Sequence, residues 1–166
     1  MTDRASSIHL VAAGRSHAAL LAELHGESFD EGWSAASIET TLGMPGSYGF
    51  IAVHAGGAGG DNAGDDEPLG FALLRAAGGE AEVITIATRP RARGHGVATR
   101  LMNVGVQQAR DLGADAMFLE VAADNTPAIG LYHRLGFRDV GARPKYYERA
   151  NTGRIDAIVM KLDLSA

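Results

Sequence analysis

Val83-Ile84-Thr85-Ile86-Ala87-Thr88-Arg89-Pro90-Arg91-Ala92-Arg93-Gly94-His95-Gly96-Val97-Ala98-Thr99-Arg100-Leu101 holds a strand, a stop, a glycine turn and the start of a helix. The β-branched run ending at Thr88 reads as a strand, and Pro90 stops it because proline cannot donate to a ladder. Val97, Leu101 and Val104 follow the i, i+4, i+7 spacing of a helix face running to about Leu112, with Gly113 as its end. At the joint stands Arg93-Gly94-His95-Gly96. Backbone N–H groups at a helix start have no internal partners and point outward at the positive end of the helix dipole. Gly96 lacks a Cβ, so an anion can approach the backbone closely. These features suit a diphosphate. A tight strand-to-helix turn, with glycines for geometry alone, explains the same residues equally well. The three-glycine dinucleotide fingerprint is absent, and so is the Gly-Lys-Ser/Thr of a P-loop.

Upstream, residues around Ile8 to Val11 offer a first strand. Leu20, Leu21, Leu24 and Phe29 suit a helix face between Ser16 and Phe29, with Ser16 as cap. Ser34 caps a second helix, Ala35 to Leu42, ended by Gly43 and Pro45. Tyr48 to His54, Pro68 to Arg75 and Ala81 to Thr88 read as strands, the last two joined by Ala76-Ala77-Gly78-Gly79. Ala55 to Glu67, rich in Gly, Ala and Asp, cannot pack a core and reads as a long flexible hairpin loop. Downstream, Met117 to Ala122 is a strand. Asn125-Thr126-Pro127 opens a helix with Ala128, Leu131, Tyr132 and Leu135 as its buried stripe and Gly136 as its end. Phe137 to Arg143 and Ile155 to Leu164 are two final strands. The order is that of a mixed α/β domain.

The 166 residues suit a single domain, 1–166, and the 46 % hydrophobic content is that of a globular chain. A net charge of −5 argues against binding a nucleic-acid backbone, which wants a basic face. The absence of cysteine removes disulfides, thiolate nucleophiles and thiolate-ligated zinc. The six histidines lack metal-site spacing, so no metal is expected. No apolar run is long enough to cross a bilayer and no signal-peptide core follows Met1, which leads to the expectation of a cytoplasmic protein without a membrane partner. A monomer or weak dimer is expected.

Arg93-x-x-Gly96-x-Ala98 matches the Q/R-x-x-G-x-G/A motif of the GCN5-related N-acetyltransferase (GNAT) superfamily. The strand before it, and Asn125 with Leu131-Tyr132-x-x-x-Gly136-Phe137 after it, also resemble that superfamily. Trp33-Ser34, Leu119-Glu120-Val121, Asp124-Asn125, Tyr146-Tyr147 and Gly153-Arg154-x-Asp156-Ala157-x-x-Met160 are similar to the RimI-type ribosomal-protein-alanine N-acetyltransferases within it. The departures are small: Thr99 stands where a basic residue often sits in that superfamily, which implies one weaker diphosphate contact, and Gly94 takes a position that can be basic. The resemblance implies a mostly antiparallel sheet of about seven strands with a splayed central pair and about four helices. It implies acetyl-CoA as donor, with main-chain groups of Ile86, Ala87 and Thr88 on the thioester and pantetheine. The N–H groups of Arg93, Gly94, His95, Gly96, Val97, Ala98 and Thr99 would hold the diphosphate, and Asn125 would contact the cofactor. The implied acceptor is the N-terminal alanine of a ribosomal protein.

Acetyl transfer needs a neutral amine, a polarised thioester and a proton for the leaving thiolate. Glu120 is the candidate base: it shares a strand face with Phe118, while Met117, Leu119 and Val121 share the other. It can also be a glutamate at the rim of the core. Tyr132 is the candidate acid, or a core residue of its helix. Glu82 is a second possible base or substrate contact, or a solvated strand residue. Trp33, Tyr146 and Tyr147 are candidates for a peptide groove, since rigid aromatics hold extended chains well, or for closing the core. The side chains of His95 and His133 receive no role. Rival readings are an acetyltransferase for lysine side chains or small amines, and a CoA-binding module without turnover.

Overall fold

The computed structural model describes residues 7–55, 66–151 and 153–165. Most of the expected loop from Ala55 to Glu67 lies outside the described residues. In chain order the elements are β1 (Ile8–Ala12), α1 (Ala18–Gly26), α2 (Ala35–Gly43), β2 (Ser47–His54), β3 (Glu67–Ala77), β4 (Glu80–Thr88), α3 (Val97–Asp111), β5 (Ala116–Ala122), α4 (Thr126–Arg134), β6 (Arg138–Arg149) and β7 (Gly153–Asp163). Among the described residues the strands form one seven-stranded mixed sheet in the order β1-β2-β3-β4-β5-β7-β6. This is the expected α/β architecture. The chain divides into two compact units, Met1–Leu74 with Thr85–Gly105, and Arg75–Ile84 with Val106–Ala166.

In the first unit β1 pairs antiparallel with β2, Ile8 opposite His54 and Ala12 opposite Phe50. Leu21, Leu24, Ile38, Ile51, Phe71, Leu73, Leu74 and Leu101 are buried there. Two glycines set the packing distance. A Cβ on Gly49 would stand 2.7 Å from the Ala72 carbonyl oxygen, and one on Gly105 would stand 2.9 Å from Leu74 Cδ2. Tyr48 reaches the same part of α3, its hydroxyl donating to the Gly105 carbonyl at 2.8 Å. Ser34 caps α2 as expected, Oγ accepting from the Ser37 N–H at 3.1 Å. Ser16 does not cap α1: it lies inside a single 3-10 turn, Arg15–His17, and His17 precedes the helix. Phe29 lies beyond the end of α1 and is exposed.

In the second unit Gly78 and Gly79 turn the β3–β4 hairpin in the left-handed region, φ 61° and 83°. β4 pairs parallel with β5 only from Glu80–Ala116 to Glu82–Phe118. β5 pairs with β7 along its whole length, Ala116–Asp163 to Ala122–Ala157. Met117, Leu119, Val121, Phe137, Ala157 and Met160 are buried. β6 pairs with β7 with two register shifts, the second between Arg143 and Tyr147.

Two helix faces differ from their sequence reading. Val104 is exposed. The buried arc of α3 is Val97, Leu101, Met102, Gly105, Val106 and Ala109, and Val104 falls roughly a third of a turn from its centre. On α4 only Tyr132 is fully buried, with Ala128, Leu131 and Leu135 half-buried.

Candidate active site

The first group of site residues belongs to the first unit. Along the end of β4, Ala87 is buried and Ile86 and Thr88 are half-buried. Gly70 on β3 lets this backbone come close: a Cβ there would press on the Ala87 carbonyl oxygen and stand 3.1 Å from Thr88 Cα. The Arg89 N–H donates to the Leu69 carbonyl at 2.8 Å. The Thr88 carbonyl accepts from Ser28 Oγ and from Arg93 Nε, each at 3.3 Å. Arg89, whose side chain is largely buried, pairs with Glu27 at 3.0 Å and Glu23 at 3.4 Å on and just beyond α1. These contacts fix the strand end before the turn begins.

Pro90–Ala92 then makes a 3-10 turn. Gly94 and Gly96 each adopt φ 80°, which favours glycine, and nothing stands within 4 Å of a Cβ built at either. Arg93, Gly94, His95 and Gly96 are exposed, Ala98 and Thr99 half-buried, and Val97 buried as the helix's first anchor. The Arg100 N–H donates to the Gly96 carbonyl at 3.1 Å, so the helical ladder starts there. The N–H groups of residues 97–99 look outward for partners. The His95 ring folds back toward the Ala92 carbonyl, Nδ1 at 3.3 Å. An exposed helix start with open space over both glycines fits a diphosphate.

Trp33 is in this unit too. Its main-chain N–H donates to His25 Nδ1 at 3.1 Å, and its ring stacks on that imidazole at 4.9 Å. Phe29 stacks on the same imidazole at 4.3 Å. Burial lowers the pKa of His25 below its ordinary value, in keeping with an Nδ1 that accepts a hydrogen bond. The half-buried Trp33 is thus tied to α1 by a residue that the sequence reading passed over.

The second group lies in the second unit. Glu120 and Phe118 are half-buried on one face of β5, and Met117, Leu119 and Val121 are buried on the other, as the alternation predicts. Glu82 is exposed and pairs with Phe118, so it stands on Glu120's face. The Glu120 carboxylate meets Arg143 of β6, Nε to Oε1 at 2.8 Å. The Tyr147 hydroxyl donates to the Glu120 carbonyl at 3.4 Å. Tyr146, which is exposed, packs edge-on against Tyr147 at 5.0 Å. Arg149 holds Asp124 by two bonds of 3.1 and 3.0 Å and lies over the Tyr147 ring. The Arg149 hydrogen bond keeps the Asp124 carboxyl below its ordinary pKa.

Tyr132 is 5 % exposed and edge-on to Phe137 at 5.8 Å. Burial, and then its neighbour Tyr147, push its pKa up to about 12. Burial, Glu120 and Tyr146 also raise that of Tyr147. Electrostatics thus link Tyr132, Tyr147 and Glu120 in one cluster. Asn125 is exposed and caps α4, Oδ1 accepting from the Ala128 N–H at 3.4 Å. Sequence patterning does not single out Arg143 and Arg149, because their partners are far along the chain: Glu120 on β5 and Asp124 in the turn after it. Among the described residues no group of three or more His, Asp or Glu could hold a metal ion, and no helix is long and apolar enough to cross a membrane.

The acetyltransferase (GNAT) family matches this chain over residues 18–137. The chain is 31 % identical over 169 residues to the N-alpha-acetyltransferase RimI of Mycobacterium tuberculosis, covering 98 % of this chain and 97 % of that one. It is 35 % identical over 101 residues to the ribosomal protein bS18-alanine N-acetyltransferase of Salmonella typhimurium, which is 61 % of this chain and 68 % of that one. In several other curated relatives the matched stretch spans only 21 % to 65 % of the relative's own length. The crystal structure of Arabidopsis thaliana NAA60 in complex with acetyl-CoA has a similar fold, with a TM-score of 0.79 at 20 % identity over 94 % of this chain and 98 % of that one. The chain belongs to the acetyltransferase (GNAT) family and is an N-acetyltransferase.

Proposed function

We propose that the chain transfers the acetyl group of acetyl-CoA to the N-terminal α-amine, an alanine, of a ribosomal protein. The observation that carries this reading is the likeness to a RimI N-alpha-acetyltransferase over 97 % of that relative's length. The Salmonella relative, whose name specifies a ribosomal-protein alanine, supports the acceptor. With that acceptor the reaction runs in the cytoplasm.

The turn from Arg93 to Thr99 takes the diphosphate, the main chain of Ile86 to Thr88 takes the pantetheine and thioester, and Asn125 adds a contact. Trp33, Glu82, Tyr146 and Tyr147 are the candidate contacts for the acceptor on the strength of the family resemblance. The amine nitrogen attacks the thioester carbonyl carbon and the C–S bond breaks. One of the two protons on the attacking nitrogen leaves through Glu120, directly or by way of a water, the departing sulfur takes the phenolic proton of Tyr132, and solvent resets the pair by reprotonating the phenolate and taking the proton from Glu120. Attack is direct, since the chain has no cysteine to carry an acyl group. An α-amine suits so mild a base: at neutral pH about a tenth of it is uncharged, against well under a thousandth of a lysine side chain, from pKa values of about 8 and about 10.4.

Thiol release measured with Ala-, Ser- and Met-initiated peptides, and with an N-blocked lysine peptide, tests the acceptor. The expected order places the Ala-initiated peptide first in kcat/KM. Equal or faster turnover of the N-blocked lysine peptide would overturn the reading.

A further inference from the structure

Glu120 has a partner that acetyl transfer does not itself require. Arg143 Nε lies 2.8 Å from Glu120 Oε1, with side-chain exposures of 59 % and 25 %. The sheet register builds this pair. Glu120 stands opposite Val159, and Val159 opposite Gly141. Arg143, two residues past Gly141, shares that face, and Gly141 puts no side chain of its own beside Val159. The Tyr146 ring supports the guanidinium from 5.4 Å.

The other polar groups around Glu120 are accounted for. On β6 the Tyr147 hydroxyl binds the Glu120 main chain. On β7 Lys161 stands opposite Phe118 and lies over its ring at 5.7 Å. On β4 Glu82 stands opposite Phe118. On α4 Tyr132 neighbours Tyr147. Arg143 makes the direct ion pair with the carboxylate.

The pair bears on which form of the acceptor is accepted. A bare carboxylate attracts an ammonium ion, whose nitrogen has no lone pair for attack. A carboxylate matched by a permanently charged guanidinium gives an ammonium little and repels it from one side, while still accepting a proton or a hydrogen bond. We infer that Arg143 is a specificity-determining residue of the acceptor site: its guanidinium balances Glu120, so that the site takes its acceptor as a neutral amine and turns away ammonium. This rests on the proposed place of Glu120 beside the acceptor nitrogen. It selects amines that lose their proton near neutrality, the α-amine class, and disfavours lysine side chains.

The test is the pH dependence of kcat and KM for an Ala-initiated peptide in the intact chain and in Arg143→Met, Arg143→Gln, Arg143→Lys and Glu120→Gln variants. Acetyl-CoA affinity, read separately, checks that each variant is folded. In Arg143→Met and Arg143→Gln the rising limb of the rate profile should move up by about one pH unit. At neutral pH the peptide KM should fall while kcat falls roughly tenfold, because the acceptor now binds as ammonium. Arg143→Lys should restore the original limb. An unmoved limb in both neutral variants, with Glu120→Gln strongly impaired, overturns the inference and leaves the base assignment standing. A Glu120→Gln variant with the rate and profile of the intact chain overturns both.

Discussion

Tyr132 is the residue whose environment speaks most directly to chemistry. Burial holds its phenol at a pKa of about 12, so the proton stays in place at any pH where the chain works, available for a leaving sulfur. Removing only that hydroxyl, in Tyr132→Phe, should lower kcat about 10²–10⁴-fold and leave acetyl-CoA affinity little changed. Steady-state kinetics beside a calorimetric donor titration check this, and near-normal turnover would remove Tyr132 from the mechanism. The residue scale was only partly legible in the sequence. Strand alternation put Glu120 on the open face of β5 because period-two patterning is local. Its pairing with Arg143 joins β5 to β6 across β7, and no local pattern carries such a contact. His25 was missed for a similar reason. Its stacking with Phe29 and Trp33 depends on how the chain turns back after α1.

Elements declare themselves where their ends are chemically marked. Ser34 capping α2, Gly78-Gly79 turning the hairpin and Asn125 opening α4 are all visible in the sequence. The sequence pattern predicts a strand ending at Arg143, whereas β6 continues to Arg149. It is an edge strand and largely exposed, so it shows no inward-outward alternation. Pro144 and the left-handed Lys145, φ 52°, interrupt it at the register shift. That irregularity precedes Tyr146 and Tyr147, and the Lys145 N–H is held by Asp156 Oδ1 at 2.8 Å. Gly70 sets the other functional element, the end of β4. Gly70→Ala should push the Ala87–Thr88 backbone away, destabilise the fold by about 1–3 kcal/mol and weaken donor binding. Gly49→Ala, which presses on the Ala72 carbonyl away from the turn, should destabilise by a similar amount with donor affinity preserved in the folded fraction. Chemical denaturation with donor titration separates the two, and equal donor affinity in both variants would remove Gly70 from the donor site.

For the whole molecule, buried titratable groups set a window of stability. Unfolded His25 takes up a proton as the pH falls through 6.5, whereas the folded residue does so only at lower pH. The unfolded chain then binds more protons, and this contribution to stability is lost as the pH drops below 6.5. Tyr48 and Tyr132 act at the other end: unfolded they lose protons near 10, folded near 12, so stability falls as the pH rises from 10 to 12. Urea midpoints across pH should show both declines. The alkaline decline should be shallower in a Tyr48→Phe, Tyr132→Phe double variant, and an unchanged slope would show that these phenols are not held neutral by the fold. The function of the whole molecule is tested most directly by one peptide bearing both a free N-terminal alanine and an internal lysine. It is incubated with the protein and acetyl-CoA, and the acetylated position is located by fragment mass spectrometry. The expected product carries its acetyl group on the N-terminal nitrogen with the lysine unmodified. Acetylation chiefly at the lysine, with the N-terminus free, would contradict the α-amine reading.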